Sequence, residues 1–372
     1  MTIANGAGRP PTAAARYTGV LTAWAVSRAI VVAGLLVGAS LGKDRSVWGG
    51  FVAWDGRWYL QAARSGYGGR PVTGVESPWP FFPLLPGLLE AVAAVRLPDA
   101  AVVVIANQLL LLAAMVGLTR LVERRVGAEP ARRAVWVLAV FPMSGVFSML
   151  YPSSVFLAAS IWAFEFAERK RWAWSGAVAA AATMVRPNGV LVVAVLAVAV
   201  FADARSDAGA GAVDGRRRRS ALLVVAPSAV ALAAWLMVCA VRTGNPLVFV
   251  TAKGAWREHR LVEAVWLVAT QPGLKQIAVH TGFGVLAVAA LWFSWRRLPR
   301  SWRALAVLTI GLPMVTGVVG LGRYVNECFP LMVAGGLVLG AAPARVRRPL
   351  LACSAAALFV AAASMADYQL LP

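Results

Sequence analysis

Acidic residues are scarce in this chain. Only 16 of its 372 residues are Asp or Glu, against 36 Lys and Arg, so the formal net charge is +20. Such an excess of positive charge is typical of proteins that bind nucleic acid. Here, however, the basic residues cluster in short segments between apolar runs, namely 120–133, 169–171, 216–219, 296–303 and 345–348. This distribution is typical of the cytoplasmic loops of membrane proteins and argues against nucleic acid as a partner.

Cysteine and histidine are rare as well. The chain has three cysteines (Cys239, Cys328 and Cys353), which are too few and too dispersed for a disulfide framework or a metal site. The two histidines, His259 and His280, lie well apart in the sequence. A glycine-rich phosphate loop after a strand and an Asp-x-Asp pair are both missing, so a nucleotide-sugar site is not predicted. We therefore expect no metal and no cofactor, and a divalent cation stays open as an alternative.

Apolar residues dominate the chain instead. They make up 60% of it, and the mean hydropathy is +0.70, far above that of soluble domains. Apolar runs recur near the roughly 20 residues that cross a bilayer, which predicts an all-α polytopic membrane protein with about 10–12 transmembrane helices in a single domain over residues 1–372. The candidate spans are 18–41, 82–97, 100–119, 133–149, 153–167, 172–186, 188–202, 220–241, 280–295, 303–320, 324–342 and 348–366.

Three longer loops separate these spans. Residues 42–80 and 242–279 are predicted to be extracytoplasmic loops, and residues 203–219 a flexible cytoplasmic loop that ends in four arginines. Residues 1–16 are polar and carry no cleavable signal, so we expect a retained first helix and a cytoplasmic N-terminus.

The second apolar segment conflicts with the charge rule. If 82–97 and 100–119 both crossed the membrane, the basic segment 120–133 would lie outside. Segment 82–97 is short and begins among Pro80, Pro83 and Pro86. We predict that it is broken or re-entrant, which leaves eleven crossings.

The first outer loop holds an acid among aromatic rings. Asp55 lies between Trp54 and Trp58, and we predict a short amphipathic helix over Phe51–Gly66 that lies on the membrane. Asp55 would then sit at the edge of the apolar face, where an ionisable residue is a candidate for function. An interfacial aromatic belt, a helix cap, or a salt bridge to Arg57 or Arg64 would also account for these residues.

Several motifs along the chain occur together in one known family. In order they are Trp54–Tyr59, Gly66–Tyr67, Phe81–Pro86, Phe141–Ser144, Phe147–Ser154, Arg186–Gly189, Arg323–Tyr324 and Phe329–Leu331. This series resembles the PIG-V family of mannosyltransferases, which have the GT-C fold. The chain departs from the family pattern at Pro152, where Thr is common, and at Ser154.

The resemblance implies an inverting transfer of a hexose, with mannose expected, from a polyprenyl-phosphate sugar to an acceptor hydroxyl on the extracytoplasmic face of the cell membrane. Asp55 would be the catalytic base. Three arginines are expected to bind the donor phosphate, namely Arg186, Arg323 and Arg57. The family resemblance points to them, and a planar guanidinium matches the oxygens of a phosphate. The sugar or the acceptor would be bound by Trp54, Trp58, Tyr59, Asn188, Tyr324 and His259. The acceptor would be a glycan, a glycolipid or a glycoprotein.

Other interpretations remain at this point. A polytopic transporter or lipid flippase also uses buried charges and broken helices. A GT-C enzyme that transfers arabinose or glucose, or a non-catalytic member that scaffolds a partner, would carry similar motifs. Arg186 could be a helix-end residue whose side chain reaches the interface, and Asn188 could cap the next helix.

Overall fold

The computed structural model of the protein describes residues 13–42, 45–203, 212–256, 263–264 and 275–366. Throughout these residues the regular structure is helical, without a strand. The α-helices are α1 Ala13–Ser40, α2 Val47–Phe51, α3 Asp55–Ser65, α4 Leu84–Ala94, α5 Asp99–Arg125, α6 Ala128–Val140, α7 Ser153–Glu168, α8 Trp172–Val185, α9 Gly189–Asp203, α10 Ala212–Thr243, α11 Val248–Lys253, α12 Lys275–Ser294, α13 Arg300–Thr316, α14 Leu321–Glu327, α15 Phe329–Ala341 and α16 Ala344–Met365. Two 3-10 segments, Pro142–Ser148 and Trp295–Arg297, complete the list.

Five stretches of helix within the described residues are long and apolar enough to cross a membrane. They are Arg16–Ser40, Asp99–Arg125, Gly215–Thr243, Gln276–Arg297 and Ala344–Met365. The number rises to seven if each of two sharply bent helix pairs forms one span. Three shorter apolar helices accompany them, Leu84–Ala94, Trp172–Val185 and Gly189–Phe201. The protein is therefore a helical, multi-pass membrane protein.

Two of the predicted spans contain a break. In the predicted span 133–149, the α-helix ends at Val140, and a 3-10 segment follows that is bent by 98° from α7. In the predicted span 324–342, the chain breaks at Cys328 with a bend of 81°. Proline has no N–H to continue a helix. Pro142 is the first residue of the segment after the first break, and Pro330 is the second residue of the helix after the second break. The hydropathy of a segment depends on its composition alone, so it does not detect such breaks.

The loops also differ in detail from the prediction. The predicted amphipathic helix is present, but it begins at Asp55 after the separate helix α2. Helix α4 has 11 residues and extends about 16 Å, half the thickness of a bilayer core. Its length fits a broken or re-entrant segment. Helix α10 begins at Ala212, within the segment 203–219 that we predicted to be a loop.

Small residues bring the long helices close together. Gly34 and Gly38 of α1 lie against the backbone of α16 near Phe359 and Ala363. Gly176 of α8 lies against the backbone of α10 so closely that a Cβ there would overlap the carbonyl oxygen of Leu223. Such contacts between small residues are the usual basis of helix packing in membranes, where apolar burial gives no net attraction between helices.

The packing predicts that Gly176→Ala destabilises the protein. The added methyl group would force α8 and α10 apart and lower the free energy of unfolding by roughly 1–3 kcal/mol. Gly282→Ala is the matched control, because a Cβ at this α12 position meets no atom within 4 Å. Chemical unfolding in detergent micelles measures both variants. Equal stability of the two would contradict the close α8–α10 contact.

Candidate functional site

The predicted catalytic acid lies at the start of α3. The chain enters this helix through Trp54, whose φ of 47° and ψ of −115° are rare for a residue with a side chain. This turn directs the backbone N–H of Asp55 to the hydroxyl oxygen of Tyr151, at 3.0 Å. Tyr151 is fully buried in the core. The backbone of Asp55 is thereby fixed by a residue 96 positions away.

The carboxylate of Asp55 pairs with Arg323. Arg323 Nη1 donates to Asp55 Oδ2 at 2.7 Å, and the two side chains are 13% and 26% exposed, respectively. The guanidinium also lies over the rings of Tyr151 and Tyr324, with its carbon 5.3 and 5.6 Å from the ring centroids. The alternative pairing with Arg64 is wrong, since Arg64 pairs with Asp99 at 3.3 Å. With these exposed fractions, the Asp55–Arg323 pair is only partly enclosed by the protein.

A second ion pair lies next to the first. Arg186 Nη1 donates to Glu327 Oε2 at 2.8 Å, and Nη2 donates to the hydroxyl of Ser153 at 3.3 Å. Arg186 and Glu327 are both buried. The guanidinium carbon of Arg186 lies 5.8 Å from the ring centroid of Tyr324, so this ring is flanked by both arginines. Glu327 was not among the predicted site residues, although it lies one helical turn from Arg323 on α14.

The two pairs form one charged cluster through the shared ring of Tyr324, and its charges also act on Tyr59. Burial raises the pKa of Tyr59 far above its usual value, and the four charged groups all act on it, the arginines lowering the pKa and the carboxylates raising it. Tyr59 therefore remains a neutral phenol at physiological pH. With two guanidiniums and two carboxylates the cluster has no net charge.

Buried polar side chains hold the segment that carries Tyr151. The amide of Asn107 donates to the carbonyl oxygens of Met149 and Tyr151 at 2.7 and 3.0 Å. Arg28 of α1, which is also buried, donates to the backbone and hydroxyl oxygens of Ser144 and to the hydroxyl of Ser148. These contacts satisfy irregular backbone inside the apolar fold.

His280 supports the other side of the cluster. Its Nδ1 accepts a hydrogen bond from the backbone N–H of Gly322 at 3.2 Å, directly before Arg323. Because Nδ1 accepts, it carries no proton. This buried histidine of α12 therefore positions the start of α14. It is a structural contact that histidine spacing alone did not predict.

The aromatic residues near Asp55 pack mainly against one another. Trp58 stacks on Phe81 with ring centroids 6.0 Å apart, and its edge meets Trp256 at 5.7 Å. Tyr59 is 4% exposed and meets Phe81 at 5.1 Å. The sugar-binding roles of Trp54, Trp58 and Tyr59 stay predictions.

The remaining predicted binding residues differ in burial and in position. Tyr324 is half-buried between the two arginines, Asn188 is half-buried in the turn that leads into α9, and Arg57 is exposed on α3. His259 lies outside the described residues. The structure brings Asp55, Arg186, Arg323 and Tyr324 together and leaves the roles of all these residues as predictions.

Comparisons with known proteins agree with the fold. The sequence profile of the family described as dolichyl-phosphate-mannose-protein mannosyltransferase matches residues 78–208, about a third of the chain. No curated protein sequence matches the chain significantly. The structure resembles that of ArnT from Cupriavidus metallidurans bound to undecaprenyl phosphate, with a TM-score of 0.55 and 16% identity over 88% of this chain and 61% of ArnT. It also resembles the Archaeoglobus fulgidus oligosaccharyltransferase in its apo form, with a TM-score of 0.58 and 11% identity over 97% of this chain and 57% of that enzyme.

These matches confirm the predicted fold class, an all-helical membrane protein with the GT-C fold. At such identities the likeness concerns the fold alone. The chain spans about three fifths of the length of either solved protein.

The geometry predicts strong coupling between Asp55 and Arg323. In a double-mutant cycle of Asp55→Asn and Arg323→Gln, we expect a coupling free energy of roughly 1–3 kcal/mol, because the pair is mostly removed from water. The measurement is chemical unfolding of the four proteins in detergent.

The pair of Arg64 with Asp99 is the matched control, since it also involves a side chain of α3. Arg64 is 62% exposed, so solvent screening should limit this coupling to less than about 1 kcal/mol. Similar coupling energies in the two cycles would show that the Asp55–Arg323 contact is weaker than its geometry indicates.

Proposed function

We propose that this protein is an inverting glycosyltransferase that moves a hexose from a polyprenyl-phosphate sugar to an acceptor hydroxyl. The observation that carries the proposal is the partly exposed ion pair of Asp55 with Arg323. A one-step displacement needs a base for the acceptor proton and positive charge at the leaving phosphate, and this pair supplies both. The family profile over residues 78–208 and the undecaprenyl phosphate bound to ArnT support a lipid-phosphate donor.

The proposed reaction forms one bond and breaks another at the anomeric carbon. The acceptor oxygen attacks this carbon while its proton passes to Asp55. The bond from the anomeric carbon to the phosphate oxygen breaks, and its electron pair stays on the phosphate. Because a phosphate is a stable anion, the leaving group needs no strong acid, and the guanidinium of Arg323 stabilises the charge that develops on it.

Binding of the donor would also prepare the base. In the unliganded protein, Arg323 holds the carboxylate of Asp55 at 2.7 Å. A donor phosphate that binds the planar guanidinium of Arg323 would replace the carboxylate of Asp55 as its partner. This carboxylate would then accept a hydrogen bond from the acceptor hydroxyl. Catalysis would then require the donor to bind first or together with the acceptor.

Substrate identity rests on the motif resemblance. The PIG-V-like series of motifs supports mannose as the sugar and the extracytoplasmic face of the cell membrane as the location. Arg186, which is buried behind Tyr324, would add positive charge without direct contact, and the exposed Arg57 would serve as a further phosphate ligand. The acceptor would be a glycan, a glycolipid or a glycoprotein.

Asp55→Asn should abolish transfer. The amide cannot take the acceptor proton, so we expect the rate to fall by about 10²–10⁴-fold. The assay incubates the purified protein with polyprenyl-phosphate-[³H]mannose and extracted membrane acceptors. Asp99→Asn is the control. Asp99 pairs with Arg64 of α3, the helix that begins at Asp55, but it lies outside the charged cluster. Full transfer by Asp55→Asn would exclude Asp55 as the base.

Arg323→Gln should weaken donor binding, whereas Arg323→Lys should retain part of it. Lysine keeps the positive charge but lacks the fork that bonds two phosphate oxygens. We expect the donor KM to rise about tenfold or more for the glutamine variant and less for the lysine variant. Arg64→Gln changes an exposed arginine of the same region and should leave KM unchanged. An unaltered KM in Arg323→Gln would place the phosphate elsewhere.

A further inference from the structure

Glu327 stands out because the proposed reaction gives it no direct task. It is 2% exposed, it pairs with Arg186 through Oε2, and its other oxygen, Oε1, has no hydrogen-bond partner among the described residues. An unbonded buried oxygen is costly, but within the same described part of the chain Glu165, which is buried and paired with arginines elsewhere, has one as well. The unbonded oxygen alone therefore assigns no role to Glu327. The property to explain is its negative charge, which lies against Arg186 beside the ring that Arg186 and Arg323 share.

The reaction changes the charge that the site must hold. The donor is a phosphodiester with one negative charge, whereas the polyprenyl phosphate that leaves has about two at neutral pH. The proton that Asp55 accepts removes one negative charge from the protein at the same step. Without Glu327, a doubly charged product would face two guanidiniums and a neutral Asp55, and it would be bound most tightly when it must leave.

We propose that Glu327 is a charge-balancing residue that limits the affinity of the site for its polyprenyl phosphate product. The inference rests on the proposed function. Glu327 acts through Arg186. Its negative charge offsets the positive charge of this arginine, which contacts the same Tyr324 ring as Arg323. Arg323 thus makes the direct contacts with the donor, whereas the Arg186–Glu327 pair sets how tightly the product is retained.

The test measures ligand binding without turnover. Full-length protein in detergent is titrated with undecaprenyl phosphate, with its methyl diester, and with undecaprenol. Glu327→Gln should bind undecaprenyl phosphate about tenfold more tightly than the wild type, bind the diester more tightly by a smaller factor, and bind the neutral undecaprenol unchanged. A residue with only a structural role would alter binding of all three ligands alike.

A charge series keeps the test decisive if Glu327→Gln folds poorly. Arg186→Gln should bind undecaprenyl phosphate more weakly than the wild type. The double variant Arg186→Gln/Glu327→Gln should return close to the wild type, because the site is again neutral. Glu327→Asp keeps the charge and should also match the wild type. If Arg186→Gln and the double variant bind equally, the proposal is overturned.

Glu165→Gln provides a matched control. Glu165 is fully buried and paired with Arg124 and Arg169. It lies 12 residues along α7 from Ser153, or about 18 Å from the site, so its replacement should leave product affinity unchanged.

The result also separates this inference from the proposed function. If the wild type binds undecaprenyl phosphate no better than undecaprenol, both fail. If the wild type binds the phosphate selectively and Glu327→Gln binds it equally or more weakly, the charge-balancing role alone fails.

Discussion

A charged side chain inside an apolar protein needs a partner, and this constraint organises the site. The ion pair of Asp55 with Arg323 joins residues that lie 268 positions apart. Moving either charge out of water is unfavourable unless an opposite charge or bonded polar groups are close. Here the partners are opposite charges, so the loop after α1 returns to α14, and α14 presents Arg323 on the side that faces α3. The second pair, Arg186 with Glu327, ties the turn before α9 to the same short helix.

The breaks in the helices accommodate this arrangement. A continuous span through Cys328 would carry Arg323 and Glu327 along one straight rod, whereas the bend of 81° makes α14 a separate helix of seven residues. Irregular backbone in an apolar interior requires internal hydrogen bonds. Asn107 supplies them for Met149 and Tyr151. The site is thus assembled where helices end, and side chains take over the bonds that a continuous helix would make.

Local patterns and motifs predicted much of the fold and nominated Asp55, Arg186, Arg323 and Tyr324, which lie together in the structure. Run length located the long helices, and an acid among tryptophans identified Asp55. The partner of Asp55 could not be found in this way, because a contact across 268 residues leaves no mark on local spacing. Glu327 was missed because one acid hardly changes the hydropathy of an apolar segment. The breaks at Val140 and Cys328 depend on prolines whose effect a hydropathy average does not register.

Arg28 shows that the carboxylates of the site are not required simply to bury an arginine. This guanidinium is as buried as that of Arg186, yet among the described residues its recorded partners are the oxygens of Ser27, Ser144 and Ser148. Neutral oxygens are therefore sufficient in this fold to hold an arginine away from water. At Arg186 and Arg323 the chain uses two of its 16 acidic residues instead. Since serines serve for Arg28, the carboxylates of Asp55 and Glu327 are better explained by the proton and charge that the proposed reaction moves than by the stability of the fold.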